Sequence, residues 1–292
     1  MQNLMCQIEV AKDIAQVERL LECESVEKKI RQAFELEQTV FYACFDEVPI
    51  GLAFVGFNNF HPYWARPFVY VADAQRRKGV GSMLYRRLLV EPLPNNVLGF
   101  QFGADVQHTG LRAFIESVGF KRRLNCYSMM FDCDQMQKPD YSVLEENGFY
   151  LCDFEKALEL SLDTNAFLIN AYTRDHYWST PVSNDSALWA QQLSQFDPKF
   201  SFVIHDGKAI RSCITSCVTS SILNIWWLYS DDKVNDCLQT ILLSHLAKCA
   251  LLKKITLADI EIDSTKTNFD QLYQSIPTKK IDIWQVYQHA FI

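Results

Sequence analysis

The sequence predicts an α/β (α+β) chain organised as two tandem units, residues 1–135 and 145–292. Three observations lead there. Over residues 1–131, strand-like apolar runs and helix-period segments follow one another as β-α-α-β-β-β-α-β-α-β. A polar stretch from Asp132 to Asn147, interrupted by Pro139, marks a boundary. Beyond it a similar succession of patterns returns, with Asp46 and Asp206 at equivalent hairpin turns 160 residues apart. A length of 292 residues also favours two domains over one.

Taken in order, residues 6–10 (CQIEV) predict a first strand, and a helix begins near Asp13 with Ile14, Val17, Leu20 and Leu21 along one side. Ser25-Val-Glu-Lys28 suits a capping position before a second, charged helix. Thr39 to Phe45 and Ile50 to Phe57 are apolar runs joined by Asp46-Glu-Val-Pro49, a hairpin pattern. The loop Asn58 to Trp64 leads into the aromatic strand Pro67-Phe-Val-Tyr-Val71. Val80, Leu84 and Leu88 then recur at helical spacing until Glu91-Pro-Leu-Pro94 closes the helix. Strands are predicted over Val97–Phe102 and Lys121–Phe131, on either side of a helix ending in Gly119-Phe120. In the second half, Phe200–Ile204 and Ala209–Val218 form a hairpin, and Ile222–Tyr229 repeats the aromatic strand. Cys237–Leu251 is a helix with Leu238, Ile241, Leu242, His245 and Cys249 on one face. Lys254–Asp263 is a strand, Asn268–Ile276 a short helix and Ile281–Tyr287 a last strand.

Composition narrows the function classes. The chain is 49% hydrophobic and 22% charged, with net charge −7; residues 1–140 hold 16 basic and 17 acidic side chains, the remainder 12 and 18. That balance argues against nucleic-acid binding, which needs a basic face. The acidic second half suits either a solvated surface or a cationic acceptor. No run approaches eighteen apolar residues and the first residues lack a signal-peptide pattern, so neither membrane association nor secretion is expected. Ten cysteines without a Cys-x-x-Cys pair predict a reducing, cytoplasmic setting, and six histidines add no metal-ligand spacing. The sequence leaves the oligomeric state open.

The chemistry-bearing stretch is Val71 to Leu89. An apolar strand, a basic turn (Arg76-Arg-Lys78), Gly79-Val-Gly81 and an apolar helix point backbone N–H groups at one place. Two missing Cβ atoms admit an anion there, and the helix dipole favours its charge. Neither a Walker nor a Rossmann glycine pattern is present. Arg76-x-x-Gly79-x-Gly81 in this context resembles motif A of the GNAT superfamily of N-acetyltransferases, and Leu111-Arg-Ala-Phe-Ile-Glu-Ser-Val-Gly-Phe120 resembles its motif B. The resemblance covers residues 1–131 by motif and about 145–292 by pattern alone. It implies two tandem GNAT-like domains, each a central mixed, mostly antiparallel sheet flanked by helices. The first would bind acetyl-CoA. The second would be degenerate: Asp231-Asp-Lys-Val-Asn-Asp236 stands where the glycines should be, and its three acids would repel a phosphate.

Carried over by residue, the resemblance assigns backbone groups at Val69 and Val71 to the pantetheine arm. Arg76, Arg77, Lys78, Gly79, Val80, Gly81 and Ser82 would surround the pyrophosphate, with His108 as a further contact. Many family members have glycine where Arg77 stands and proline where Asp73 stands. Transfer to an amine needs a free amine, a polarised carbonyl and a proton for the departing thiolate. The family's usual tyrosine donor falls at Ile115 here. His108, Tyr85 and Tyr127 are the candidate catalytic groups, though for each a polar tip satisfied at a domain edge is the stronger reading. His61, Tyr63 and Glu24 (with Glu22 and Glu27 nearby) are candidate acceptor contacts, and Thr173 to Thr180 is an aromatic-polar cluster that could border an acceptor or simply pack. The expected function is acetyl-CoA-dependent N-acylation of a primary amine on a small molecule or peptide; the alternative is a non-catalytic acyl-CoA-binding or interaction protein.

Overall fold

The structure, a computed structural model, describes residues 6–21, 24–183, 185–231, 237–266 and 269–291. It divides into two compact units. One comprises Met1–Arg123 together with Val286–Ile292, the other Leu124–Gln285. This division differs from the expected ranges of 1–135 and 145–292: the polar stretch around Pro139 lies inside the second unit, and the segment from Val286 onward belongs to the first.

In the first unit, β1 (Gln7–Val10) is followed by a 3-10 helix (Ile14–Leu20), α1 (Glu24–Glu35), β2 (Phe41–Phe45), β3 (Val48–Gly56), β4 (Trp64–Val71), α2 (Val80–Leu89), β5 (Gly99–Asp105), α3 (Thr109–Ser117) and the start of β6 (Lys121–Asp132). Asp13 caps the 3-10 helix by accepting from the Gln16 N–H. Its apolar residues Ile14, Val17 and Leu20 are spaced by three, the period at which 3-10 side chains eclipse, so a tighter helix replaces the expected α-helix. Helix α1 already includes Ser25, which is therefore not its cap. The β2–β3 hairpin turns at Asp46 and Glu47, with φ 49° and 63°, the pair of positive values that a type I′ turn requires.

Strands β2 and β3 bury both faces by simple alternation. Phe41, Ala43, Ala53 and Val55 pack with Val80, Leu84 and Leu88 of α2 and Ile115 of α3. Tyr42, Leu52 and Phe54 face the other way, onto Val17, Leu20, Ile30 and Ala33.

The second unit continues with α4 (Ser142–Glu146), β7 (Tyr150–Asp153), α5 (Phe154–Glu159), α6 (Thr164–Asp175), α7 (Ser186–Leu193), β8 (Phe202–His205), β9 (Ile210–Thr219), β10 (Ile222–Ser230), α8 (Cys237–Leu252), β11 (Leu257–Asp263), α9 (Phe269–Ser275) and β12 (Thr278–Ala290). Its strands run in the order β12-β6-β11-β10-β9-β8-β7, and those of the first unit β1-β2-β3-β4-β5-β12, the far end of β12 serving there. Pairs β4/β5 and β10/β11 are parallel; the hairpin pairs are antiparallel. Helix α8 is apolar nearly all round: Leu238, Ile241, Leu242, Leu243, Leu246, Ala247 and Ala250 are all buried, so it is a core helix rather than one with a single apolar face. No described helix is long and apolar enough to cross a membrane.

Candidate functional site

The site is built from the end of β4. Register places Val69 opposite Ala53 and Val71 opposite Gly51, and the Ala72 N–H donates to Ile50 O at 3.0 Å. Ladder hydrogen bonds alternate along a strand, so the N–H groups of Val69 and Val71 point away from β3, towards β5. Among the described residues, the parallel register of β4 with β5 holds only at Trp64↔Gly99 and Ala65↔Phe100. Beyond Ala65 the two strands part, leaving a wedge into which those N–H groups are directed. A ligand rich in amides meets donors there that have no strand partner.

The turn after Val71 continues the wedge. Asp73–Gln75 makes one 3-10 turn; Arg77 then adopts φ 63° and Gly79 φ 86°, and α2 starts at Val80. A Cβ on Gly79 would meet nothing within 4 Å, so this face of the turn is open. The first amides of α2, at Val80, Gly81 and Ser82, lie in the turn where a helix has no internal acceptors for them. Gly81 lets Phe114 of α3 approach: a Cβ would stand 3.2 Å from its ring. Arg76 is anchored rather than free. Its Nε donates to Val71 O at 3.1 Å and its Nη2 pairs with Asp73 at 2.6 Å, which also answers the negative charge that Asp73 brings to the turn. Lys78 Nζ donates to Gln75 Oε1 at 3.0 Å, and Arg76, Arg77 and Lys78 are all exposed. The arrangement supplies backbone donors, a helix N-terminus and exposed cations around one opening, the elements of a pyrophosphate cradle.

His108 stands at the head of α3, exposed, its side chain making no cap to the helix. Gly119, at φ 98°, ends that helix in the left-handed conformation expected for the Gly-Phe terminus. Ile115, at the position of the family tyrosine, is fully buried.

The other candidates are dispersed. Tyr85 is 2% exposed, and its hydroxyl shares a 2.6 Å hydrogen bond with His289 Nδ1; burial raises its pKa. Its hydroxyl is thus already held within the fold, as the packing alternative for this residue describes. Tyr127 lies in the second unit, its ring against Phe269 and Tyr273 and its hydroxyl accepting from Asn125. His61 and Tyr63 precede β4, at the opposite end of that strand from the glycine turn. The strand runs eight residues from Trp64 to Val71, so its ends are roughly 23 Å apart at about 3.3 Å per residue step. The structure therefore does not bring these two residues to the wedge. Glu24 is exposed at the start of α1, a helix that packs near Phe68 and Tyr70 on the other side of β4. Glu22 lies outside the described residues. Thr173–Asp175 closes α6, and the cluster after it is a packed aromatic stack in which the ring of Tyr172 lies 3.7 Å from that of His176 and 4.7 Å from Trp227.

In the second unit, Asp231 follows β10 as the glycine turn follows β4. Its carboxylate is bound by Arg211 Nη1 at 2.8 Å, and Arg211 also holds Asp206 at 2.6 Å. Asp206 is kept well below the ordinary carboxylate range by backbone N–H groups and by Arg211. The rest of the acidic segment, residues 232–236, lies outside the described residues. Strands β6 and β11 also bring the potential ligand atoms of Cys126, Glu261 and Asp263 within 4.8 Å of one another, a grouping that no sequence spacing reveals. Burial raises the Cys126 thiol far above its usual value, so it sits there as a neutral donor to Asp263. The surrounding protein, and then the like charges of Asp263 and Asp259, push Glu261 up to about 7 although its side chain reaches solvent. All nine described cysteines are free.

Comparison with known proteins agrees with this geometry. Residues 9–120 match the family model described as the acetyltransferase (GNAT) family. A GCN5-related N-acetyltransferase from Sphaerobacter thermophilus superposes with TM-score 0.62 at 15% identity, covering 98% of this chain and 95% of that one. A GCN5-related N-acetyltransferase from Kribbella flavida gives 0.55 at 13% identity over 99% and 72% of the two chains. A tandem GNAT protein from the clavulanic acid biosynthesis pathway gives 0.51 at 11% identity over 98% of each. No curated protein matches the chain by sequence.

Proposed function

Because residues 9–120 carry a domain of the GNAT acetyltransferase family and the chain has the tandem GNAT fold, we propose that it is an acetyl-CoA-dependent N-acyltransferase acting on a primary amine of a small molecule or peptide. Acyl transfer in general follows from the family. The donor and acceptor are our reading, and one observation carries it: the Val69 and Val71 N–H groups face a wedge that opens onto the glycine turn at the head of α2.

In this reading the Val69 and Val71 amides receive the amide-bearing arm. The amides of Val80, Gly81 and Ser82, with Arg76, Arg77 and Lys78, receive the pyrophosphate. Bound acetyl-CoA supplies a thioester whose thiolate leaves readily. His108, exposed at the head of α3, is the candidate to hold or pass a proton, and Glu24 is the acceptor-side carboxylate retained from the sequence. Pairing of Asp231 and Asp206 with Arg211 supports a single donor site per chain, because that cation is already committed.

Calorimetry with acetyl-CoA tests the assignment. One site per chain, lost in Gly81→Glu, is expected, since the substitution crowds Phe114 and adds a carboxylate beside an anion. Undiminished binding in a folded Gly81→Glu variant would falsify it. The interior placement of Ile115 and Tyr85 favours the second reading, a non-catalytic acyl-CoA-binding protein; retained binding with complete inertness across a panel of amines selects it.

A further inference from the structure

We propose that His289, from the far end of the chain, is a positioning residue for the acyl-donor helix α2, so that residues 286–291 complete the site whose motifs lie between residues 69 and 120. The proposal rests on the reading of the glycine turn as the donor site.

Contacts of this segment reach three elements around that site within the first unit: α2, α3 and β5. The Tyr85 hydroxyl of α2 and His289 Nδ1 are 2.6 Å apart, and the two rings lie 6.0 Å centre to centre. The same imidazole lies against Gly119, where a Cβ would come within 3.4 Å of it, and meets the Phe120 ring edge-on at 5.4 Å. Tyr287, fully buried, donates to Glu116 of α3 at 3.2 Å and accepts from Arg112 at 3.4 Å. Gln288 donates to Gln101 of β5, and the Phe291 N–H donates to Leu98 O. Gly99 is pressed so closely by this segment that a Cβ would fall 2.3 Å from His289 O. One short strand thus touches α2, the end of α3 and β5.

Of these contacts, the Tyr85–His289 bond is the polar tie to α2. Leu84 and Leu88 seat the helix by apolar packing, which is less directional than a hydrogen bond. A directed hydrogen bond in a water-poor interior fixes the remaining freedom, and losing one partner strands the other. The amides that aim at the turn are the first residues of that same helix, so their direction follows from where Tyr85 is held.

The test uses the full chain carrying His289→Ala, His289→Asn, Tyr85→Phe or the double change Tyr85→Phe/His289→Ala. Two readouts are made: hydrogen exchange of peptides spanning α2 and α8, and acetyl-CoA affinity by calorimetry. His289→Ala and Tyr85→Phe are each expected to speed α2 exchange about five- to tenfold and to weaken acetyl-CoA by a similar factor, with α8 unchanged. Asparagine, whose side-chain oxygen can stand where Nδ1 stands, should restore both, and the double variant should match either single one. Wild-type α2 exchange in His289→Ala, additive effects in the double variant, or an α2 change with unaltered acetyl-CoA affinity would each overturn the proposal. If the wild type itself binds no acetyl-CoA, the donor-site reading fails and this proposal fails with it, whereas binding by the wild type with an indifferent His289→Ala removes only the positioning role.

Discussion

Substituting Gly51 by alanine probes how closely α2 sits on the hairpin. A Cβ at this position would stand 2.8 Å from Tyr70 O, 3.1 Å from a Leu84 methyl and 3.3 Å from a Val80 methyl. The two methyls can yield, but the carbonyl is backbone and must retreat by about 0.6 Å to reach the 3.4 Å at which ordinary contact begins. That carbonyl belongs to β4 between Val69 and Val71, and Gly51 is itself the register partner of Val71. Relief therefore comes by displacing the strand whose amides face the wedge, or by lifting α2. Overpacking of this kind costs about 1–3 kcal/mol. Gly110 is the control: it lies in α3 with nothing within 4 Å of its missing Cβ, so Gly110→Ala should gain about 0.5–1 kcal/mol from helix propensity alone. Urea unfolding of both variants measures the signs, and titration with acetyl-CoA measures whether the wedge has moved. Stabilities that shift in the same direction, or a Gly51→Ala variant within about 0.5 kcal/mol of wild type and unimpaired for acetyl-CoA, would refute the close-approach reasoning.

Two further outcomes are expected. Arg77 is held at φ 63°, where an L-residue pays about 1–2 kcal/mol, and glycine's looser unfolded state gives back about 0.5–1 of that; Arg77→Gly should thus raise the melting temperature slightly while weakening acetyl-CoA, and a lower melting temperature would count against strain at the turn. Glu261 is raised from 4.5 to about 7 in the folded chain, so the native state holds its proton more tightly than the unfolded state does. The stability this group contributes is complete below pH 4.5 and is lost as pH rises through about 7; Glu261→Gln should flatten stability across that window, and an unchanged slope would show that the carboxyl is not perturbed.

Much of the first unit was legible because its signals are local. Asp46-Glu-Val-Pro49 announces a hairpin, which the structure tightens to a two-residue turn at Asp46 and Glu47, and Val80, Leu84 and Leu88 announce a helix face. The glycines at 79 and 119 sit where a left-handed residue ends or begins a helix. The interest of the Val69 and Val71 backbone came from resemblance, whereas the parting of β4 and β5 is visible only in the register, since pairing that stops at Ala65 is a property of two strands and not of either sequence. Tyr85 could have been recognised as interior: it adjoins Leu84 and stands three residues before Leu88, on the flank of the apolar stripe. His289 and Tyr287 could not, because their partners lie about 170–200 residues away and nothing in Ile281–Tyr287 tells which strands it will join. The helices between residues 142 and 193 were overlooked for a different reason. The apolar residues of the longer ones, α6 and α7, do not gather on one strong face, and capping by Asp153, Asp163 and Asp185, each accepting from an amide two or three residues on, marks the helix starts instead.

Where residues 286–291 belong also sets an order of events during synthesis. About 160 residues of the second unit must be made after Arg123 before the strand that flanks β5 exists. At about 5–20 residues per second this interval lasts roughly 8–30 s. Throughout it the nascent first unit carries β5 with an unpaired edge, the kind of surface that recruits chaperones or sticks to another chain. If residues 286–291 complete an acyl-donor site as proposed, that site is a late product of translation, and a ribosome stalled in the second unit holds a chain with every motif and no finished cradle.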